Sequence, residues 1–485
     1  MWFSPWRRIL RGRSGDAKPS GLRAGTKFVE EDTGVEYTYD PVMKDWKKKV
    51  APYSALVAKD GSTVWAEDAS GKTIASGEAG VDDASVIQSA IDYLPSYGGK
   101  VFIRAGIYYI YKSIDLSGKD SITLEGENRA DVSHDAGTML WNKGTEKALI
   151  YKREGSYGSH HVLIKQLRLY GANQPQHLID IFNCMRVQIE SCSLSHVPDP
   201  YASINANTNE LVWIINNDFQ SGALSHIYLY SCHTPIISFN SLSAAKYNIY
   251  IRHPGSHTGI IAYNLISDAE YDGIYMYNQC SGFEIIGNKI FDNGDNGIRI
   301  SQAVRNVNII GNSITGSGRL YTGAEQGHGI LIRDQGDGCS NIKIYGNTIT
   351  GNKRTGIGVY DNSDYIYIIG NTIEDNSSFN IESIVGEHSV VKDNVGYTTE
   401  NSGTATFSGD GVAKVFEIGA HGLVTTDPSK IAIKVTPASS DAIAASPCVG
   451  YVDPVDNTKI KVKFSSAPDS GANNVKIVWY AEVIS

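Results

Sequence analysis

Two aspartates, Asp334 and Asp361, close equivalent apolar stretches of this chain, GILIRD and GIGVYD. If those stretches are strands of neighbouring stacked repeats, the carboxylates lie one coil apart, roughly 5 Å. Carboxyl groups about 5–5.5 Å apart fit a retaining glycosidase, whereas an inverting one needs about 6.5–9.5 Å. Like charges so close also raise one pKa, as a general acid requires. A solvated turn acid and a calcium ligand pair are the alternatives at these positions. None of these readings requires a cofactor, and calcium is the one cation for which a ligand pair is in view. The stretch GSGRLYTGAEQGHG at 316–329 adds Arg319, Tyr321, Glu325 and His328, and DNGDNGIRI at 292–300 adds Asp292, Asp295 and Arg299. The candidate catalytic set is therefore Asp334, Asp361, Glu325, Asp295 and His328. For an elimination, Arg299 or Arg333 would be the proton-abstracting base beside a bound cation, and nothing in the sequence selects elimination over hydrolysis.

In the strand that closes each repeat, alternate residues point outward. One outward column reads Tyr228, Tyr250, Tyr275, Arg299, Leu331, Gly358, and the next Tyr230, Arg252, Tyr277, Ser301, Arg333, Tyr360. Exposed rings side by side offer flat apolar faces with hydroxyl tips, on which sugar rings stack. Tyrosine also suits any half-exposed strand. Five tyrosines in three coils favour glycan binding, across Tyr250, Tyr275, Tyr277, Arg299 and Arg333.

These residues are positioned by a repeat that occupies about residues 162–395. An asparagine follows an apolar pair at Asn217, Asn240, Asn264, Asn288, Asn312, Asn347, Asn371 and Asn394, at intervals of 23, 24, 24, 24, 35, 24 and 23 residues. The surrounding text is nearly constant: IIGNKIFDN, IIGNSITGS, IYGNTITGN, IIGNTIEDN. Short alternating stretches broken by Gly and Asn read as strands joined by sharp turns. A period near 24 suits coils of a parallel β-solenoid, stacked at roughly 4.8 Å around a shared core. The asparagines then form a column whose amides bond along the stack, which makes them structural. Ile274, Ile298, Ile330 and Ile357 form one predicted core stack. The 35-residue interval marks an insertion beside the tyrosine face, and loops on a rigid scaffold are where sites are commonly built.

Upstream, Asp82 or Asp83 would cap a helix whose apolar face is Val86, Ile87, Ala90, Ile91 and Leu94. Such a helix can cover the open end of a solenoid, and Gly98-Gly99 stop it. The stretch SVIQSAIDYLPSYGGKVFIRAGIYYIYKSIDLSGKDSITLEGEN at 85–128 resembles the opening of pectate-lyase-superfamily right-handed β-helices, and the following repeats resemble their generic module. Together these cover about residues 82–400. The resemblance implies an all-β protein: a right-handed parallel β-helix of about ten or more coils at 81–402, with an N-terminal capping helix. Residues 25–80 read as a module of short hairpins, and 403–485 as a small β-sandwich-like domain. Both flanks are similar to modules of viral tail or capsid-surface proteins, and likeness to tailspikes, with long flat strand faces, implies a homotrimer. This fold hosts lyases, hydrolases, epimerases and non-catalytic adhesins. The GHG at 327–329 resembles the histidine motif of polygalacturonase-type hydrolases. That family's adjacent aspartate pair and RIK element are absent, and His328 fills the slot held by Asp272, Asn296 and Thr355 in other coils. The expected function is binding and internal cleavage of a polysaccharide by a hydrolase or lyase, mounted on a virus particle in the manner of a tailspike. The alternative is a non-catalytic adhesin or virion-surface fibre.

Composition supports this frame. At 485 residues, with 41% hydrophobic and 20% charged, the chain has apolar surface for a core. Residues 1–24 carry six bases and one acid, +5, which leaves −14 for the remainder of a chain whose net charge is −9. An acidic body is a poor partner for nucleic acid. Residues 1–24 form a basic tail in which Trp2, Phe3, Trp6, Ile9 and Leu10 would anchor to a membrane surface or larger particle, or remain disordered. They lack the 7–15-residue apolar core of a secretory signal. The expected location is extracellular or on a virion surface, reached without a conventional signal peptide. Cys184, Cys192, Cys232, Cys280, Cys339 and Cys448 show no metal-ligand spacing and are expected as small buried residues.

Overall fold

In a computed structural model the chain is a parallel β-solenoid of about 11 turns with small antiparallel sheets beyond it. The structure describes residues 52–129, 137–144, 148–172, 176–252, 254–320, 325–334, 336–382, 388–425 and 428–484. It also describes Ile9–Gly12, Lys27–Glu30, Glu36–Asp40, Asp45–Lys48 and a few single positions. Trp2, Phe3, Trp6, His253 and Tyr321 lie outside the described residues. Two compact units divide the chain at 201/202.

In the first unit, Lys27–Glu30, Glu36–Asp40 and Asp45–Lys48 form antiparallel hairpins, with Ile9–Gly12 parallel to the first. Ala55–Asp60, Thr63–Asp68 and Thr73–Glu78 form a second meander, and its first strand pairs in parallel with Val101–Ile103, the opening coil. Residues 55–78 thus join the solenoid's end. The helix Asp83–Tyr93 buries Val86, Ile87, Ala90 and Ile91, with Leu94 buried just beyond it. Neither aspartate bonds to the first turn as a cap. Asp82 Oδ2 accepts from Glu78 N at 2.9 Å. Asp83, fully buried, accepts from Gly80 N and Tyr109 N and pairs with Lys59 at 3.0 Å, and so ties the helix to the strands beneath it. Gly98 has φ +96, and a Cβ there would lie 1.6 Å from Ser121 O, so only glycine ends this segment.

In the second unit each coil contributes three strands, for example Ile274–Tyr277, Glu284–Ile286 and Lys289–Phe291, each parallel to its equivalent one coil on. Parallel strands joined by such crossovers wind right-handed. The predicted register holds: Ile274, Ile298, Ile330 and Ile357 are consecutive partners and fully buried. The asparagine column is present along its length. Asn288 Nδ2 donates to Asn312 Oδ1 at 3.0 Å and to Ile261 O at 2.8 Å, and its own Oδ1 accepts both N–H groups offered by Asn264. Five of the six cysteines are buried and all are free thiols. Beyond the last coil, Glu400–Gly409, Ile431–Pro437 and Gly471–Val483 form one antiparallel sheet, and Val415–Ala420, Cys448–Val452 and Lys459–Phe464 another. Buried between them lie Val462, Phe464, Val475 and Ile477.

Replacing Asn288 by Ala strands two donors of Asn264 and the carbonyl of Ile261 inside the stack. The expected cost is about 2–4 kcal/mol in denaturant unfolding. Ser313→Ala, on an exposed outward position, should stay within ~0.5 kcal/mol. Equal small effects would remove the ladder as the source of register.

Candidate functional site

The outward columns form as the repeat demands. Tyr228, Tyr250, Tyr275, Arg299, Leu331 and Gly358 are successive strand partners, as are Tyr230, Arg252, Tyr277 and Ser301. The rings do not, however, lie open side by side. The coil repeat is close to the thickness of a stacked ring, so in-register tyrosines stack on one another along the axis. Tyr250 and Tyr275 lie 5.1 Å apart and 5° from parallel, and the Arg299 guanidinium continues the stack 5.1 Å beyond Tyr275. Tyr275 is accordingly 8% exposed. Tyr247 touches Tyr250, Tyr271 and Tyr275 at 5.1–5.4 Å, and Tyr277 packs against Tyr275 and beneath Arg252. The face therefore shows ring edges and hydroxyls more than ring faces.

One coil on, the inserted loop meets this stack. Its backbone is pinned to the preceding coil: Arg319 N and Leu320 N donate to Asn293 O and Gly294 O, and Gly327 N to Asp295 O. Asn296 Nδ2 holds the carbonyl of Glu325 at 3.0 Å. The Glu325 carboxylate thereby reaches two guanidinium groups, Arg299 Nη2 at 3.1 Å and Arg333 Nη1 at 2.9 Å. Arg333 also lies 3.4 Å from Asp361 Oδ2, an ion-pair distance without hydrogen-bond alignment. Glu325, Arg299, Arg333 and Asp361 are thus one connected, part-exposed group beside the tyrosine stack.

Three other predicted acid–base residues are placed elsewhere. Asp334 is 4% exposed; its Oδ2 accepts from Ala303 N at 2.6 Å and its Oδ1 from Gly336 N at 3.0 Å, so both carboxylate oxygens are engaged by backbone N–H groups. Asp361 itself holds φ +61, the left-handed turn position that Asn278 and Gln302 hold in earlier coils, where Asp and Asn are tolerated. Among the described residues no three His, Cys, Asp or Glu side chains converge on a metal position. His328 is fully buried, edge-on to Tyr360 at 5.8 Å and lying over Gly358, where a Cβ would meet its ring at 2.8 Å. Asp295 is 8% exposed beneath the loop, and burial raises its pKa. Arg299 keeps its proton more tightly than usual: burial opposes the charge, but Asp272, Tyr275 and Glu325 outweigh it. A guanidinium so held is no proton-abstracting base.

Two features escaped the sequence reading. Asp272 is 1% exposed under Arg299, with Oδ1 accepting from Asn296 Nδ2 at 2.8 Å and Oδ2 lacking a hydrogen-bond partner among the described residues. Burial pushes its pKa up to about 7, against the opposing pull of Arg299 and Asn296. Its signal was a charged residue in a slot that Asn296, His328 and Thr355 fill in later coils. Further along, Glu382 accepts from Arg354 at 3.1 Å, Thr355 at 2.8 Å and Tyr360 at 2.6 Å and extends the charged strip by a coil. The spacing that aligns it with Gly358 carried that signal.

Beside this geometry stand the likenesses to known proteins. A family model described as right handed beta helix region matches residues 155–314. No curated protein matches the sequence. Among solved structures, the chain is similar to the A-module of the Azotobacter vinelandii mannuronan C-5 epimerase AlgE6, at 17% identity over 65% of this chain and 96% of that one, TM-score 0.48. It is similar to the Dettilon tailspike protein at 11% identity over 82% and 90%, TM-score 0.45. The ORF18 protein of Geobacillus virus E2 is 12% identical over 97% and 89%, TM-score 0.48. At such identities none of them bears on the side chains of the site.

Two substitutions check this placement. Below about pH 4 Asp272 is protonated folded or unfolded; between about 4 and 7 only the unfolded chain has lost the proton. Its contribution to stability is therefore present at low pH and falls as pH rises towards 7. Asp272→Asn should flatten that slope, raising the melting midpoint at pH 8 by about 3 °C or more and leaving it unchanged at pH 4. An equal loss at both values would contradict the assignment. Asp334→Asn should lower stability by about 1–3 kcal/mol through the orphaned Ala303 or Gly336 N–H, read by urea unfolding.

Proposed function

We propose that this protein binds an extended polysaccharide along the solenoid axis, across Tyr250, Tyr277, Arg299 and Arg333, and cleaves it internally beside Glu325. The observation that carries the reading is the continuity of tyrosine edges with the Arg299–Glu325–Arg333–Asp361 group over successive coils. A row of hydroxyls and guanidinium forks at a fixed axial repeat offers many parallel hydrogen bonds to a polymer of hydroxyl-bearing units. Face stacking on Tyr275, which its neighbours cover, plays a smaller part than the sequence implied. Glu325 (side chain 39% exposed) and Asp361 (32%) are the acids of the set open to a ligand. Hydrolysis then needs one to protonate the leaving oxygen and the other to activate water or attack the anomeric carbon. Elimination is disfavoured because both candidate bases are paired arginines. The same reading mounts the solenoid as a homotrimer on a virus particle or cell surface through residues 1–24, which sedimentation of the full chain and of a chain lacking them would test.

A non-catalytic adhesin is the second reading, and one observation favours it. Both open acids already hold arginines, an arrangement that suits binding as well as chemistry.

Incubation with a panel of neutral and acidic polysaccharides, followed by new reducing ends and the absorbance of unsaturated products, separates the two. Cleavage should appear with reducing ends and no unsaturated product. Glu325→Gln should lower turnover about 10²–10⁴-fold with binding retained. Tyr250→Ala and Arg333→Gln should each weaken binding by about 1 kcal/mol or more. Binding without cleavage would establish the adhesin; binding indifferent to both Tyr250→Ala and Arg333→Gln would place the groove elsewhere.

A further inference from the structure

A well-formed cleft lies away from the tyrosine face. It opens where Val390–Lys392, in the final coil, faces the strands Glu400–Gly409 and Gly471–Val483 of the sandwich, and it holds about 380 Å³. That is within the range of small-ligand sites and far more than a single water needs. Its walls are fixed by backbone bonds: Val483 N donates to Thr399 O, Val424 N to Thr398 O, and Ile484 N to Lys430 O. The space is therefore part of the fold.

Its lining has a definite chemistry. Val390, Val424 and Val483 supply apolar surface. The charges are largely compensated within the wall: Lys392 pairs with Glu400 at 3.1 Å, and Glu482 pairs with Lys434 at 3.3 Å and accepts from Tyr480 at 3.0 Å. Lys430 stands exposed at the rim. Within, Thr399 is 6% exposed and its Oγ1 has no hydrogen-bond partner among the described residues. A buried hydroxyl left unpaired costs stability unless something meets it. Tyr397, half-buried, lines the same space.

We infer that this cleft binds a neutral saccharide unit, the apolar walls taking the C–H face of a sugar ring and Thr399 Oγ1 one of its hydroxyls. An apolar anion or a free phosphate would meet no uncompensated charge inside. A sugar offers both the apolar face and the donor or acceptor that Thr399 lacks. The site is independent of the tyrosine face, and its occupant is either a free sugar or the terminal unit of a longer chain.

The test uses the full chain with methyl glycosides of glucose, galactose, mannose and N-acetylglucosamine, and with the matching linear trisaccharides, read by saturation-transfer NMR and calorimetry. At least one probe should bind. Tighter binding of the trisaccharide would mark a chain end as the occupant, and equal binding a free sugar. Thr399→Val, close in shape and lacking the hydroxyl, should weaken binding five-fold or more, and Val424→Trp, at the rim, should abolish it by filling the space. Both substitutions are made in a Tyr250→Ala, Arg333→Gln chain, whose groove is already weakened, so the binding read is that of the cleft and failure of the groove and of the cleft are read separately. The inference is overturned if no probe binds, or if binding survives Val424→Trp in a chain whose melting curve shows it folded.

Discussion

Each asparagine from Asn240 to Asn371 accepts two N–H groups from the coil before it and donates to the coil after it and to a carbonyl of the preceding coil. Because the same side chain does this from Asn240 to Asn371, with Asn217 opening the column and Asn394 closing it, a coil displaced by one residue would lose every one of those bonds and turn its isoleucines outward. Register is thus fixed in the interior, at a buried turn. The outer face inherits it. Tyr250 stacks on Tyr275, and Arg299 on Tyr275, because the column beneath holds those strands in line.

That inheritance also decides what the face can do. Identical residues one coil apart are close enough to satisfy each other, so a column of tyrosines becomes a stack and not a set of open plates. Surface chemistry arises where the repeat is broken. The insertion at 316–329 brings Glu325 between two arginines of adjacent coils, and the vacancy at Gly358 lets His328 pack beside Tyr360. Underneath, Asp272 holds a carboxyl that a purely structural column would have filled with asparagine, as the next coil does.

The fold was legible because its determinants recur. A bond made by Asn264 is made again by Asn288 and Asn312, so spacing alone exposes it, and the isoleucine stack and the helix face follow the same way. The site was legible only in part. Glu325, Arg299, Arg333 and Asp361 come together as their positions implied. The bonds that Asp334 accepts from Ala303 and Gly336 depend on local turn geometry that no period reports. The raised pKa of Asp272 comes from burial beneath residues of other stretches, against the opposing pull of Arg299, and so could not be read from its own stretch of sequence.

The central claim is that a glycan lies along the axis over the tyrosine edges and the arginine pair. Hydroxyl-radical footprinting of the protein with and without a polysaccharide it binds reads this residue by residue. Oxidation of Tyr250 and Tyr277 should fall several-fold on binding, while Tyr451, on the sandwich sheet away from that face, stays as reactive as before. Unchanged oxidation at Tyr250 and Tyr277 in a saturated complex would contradict the account.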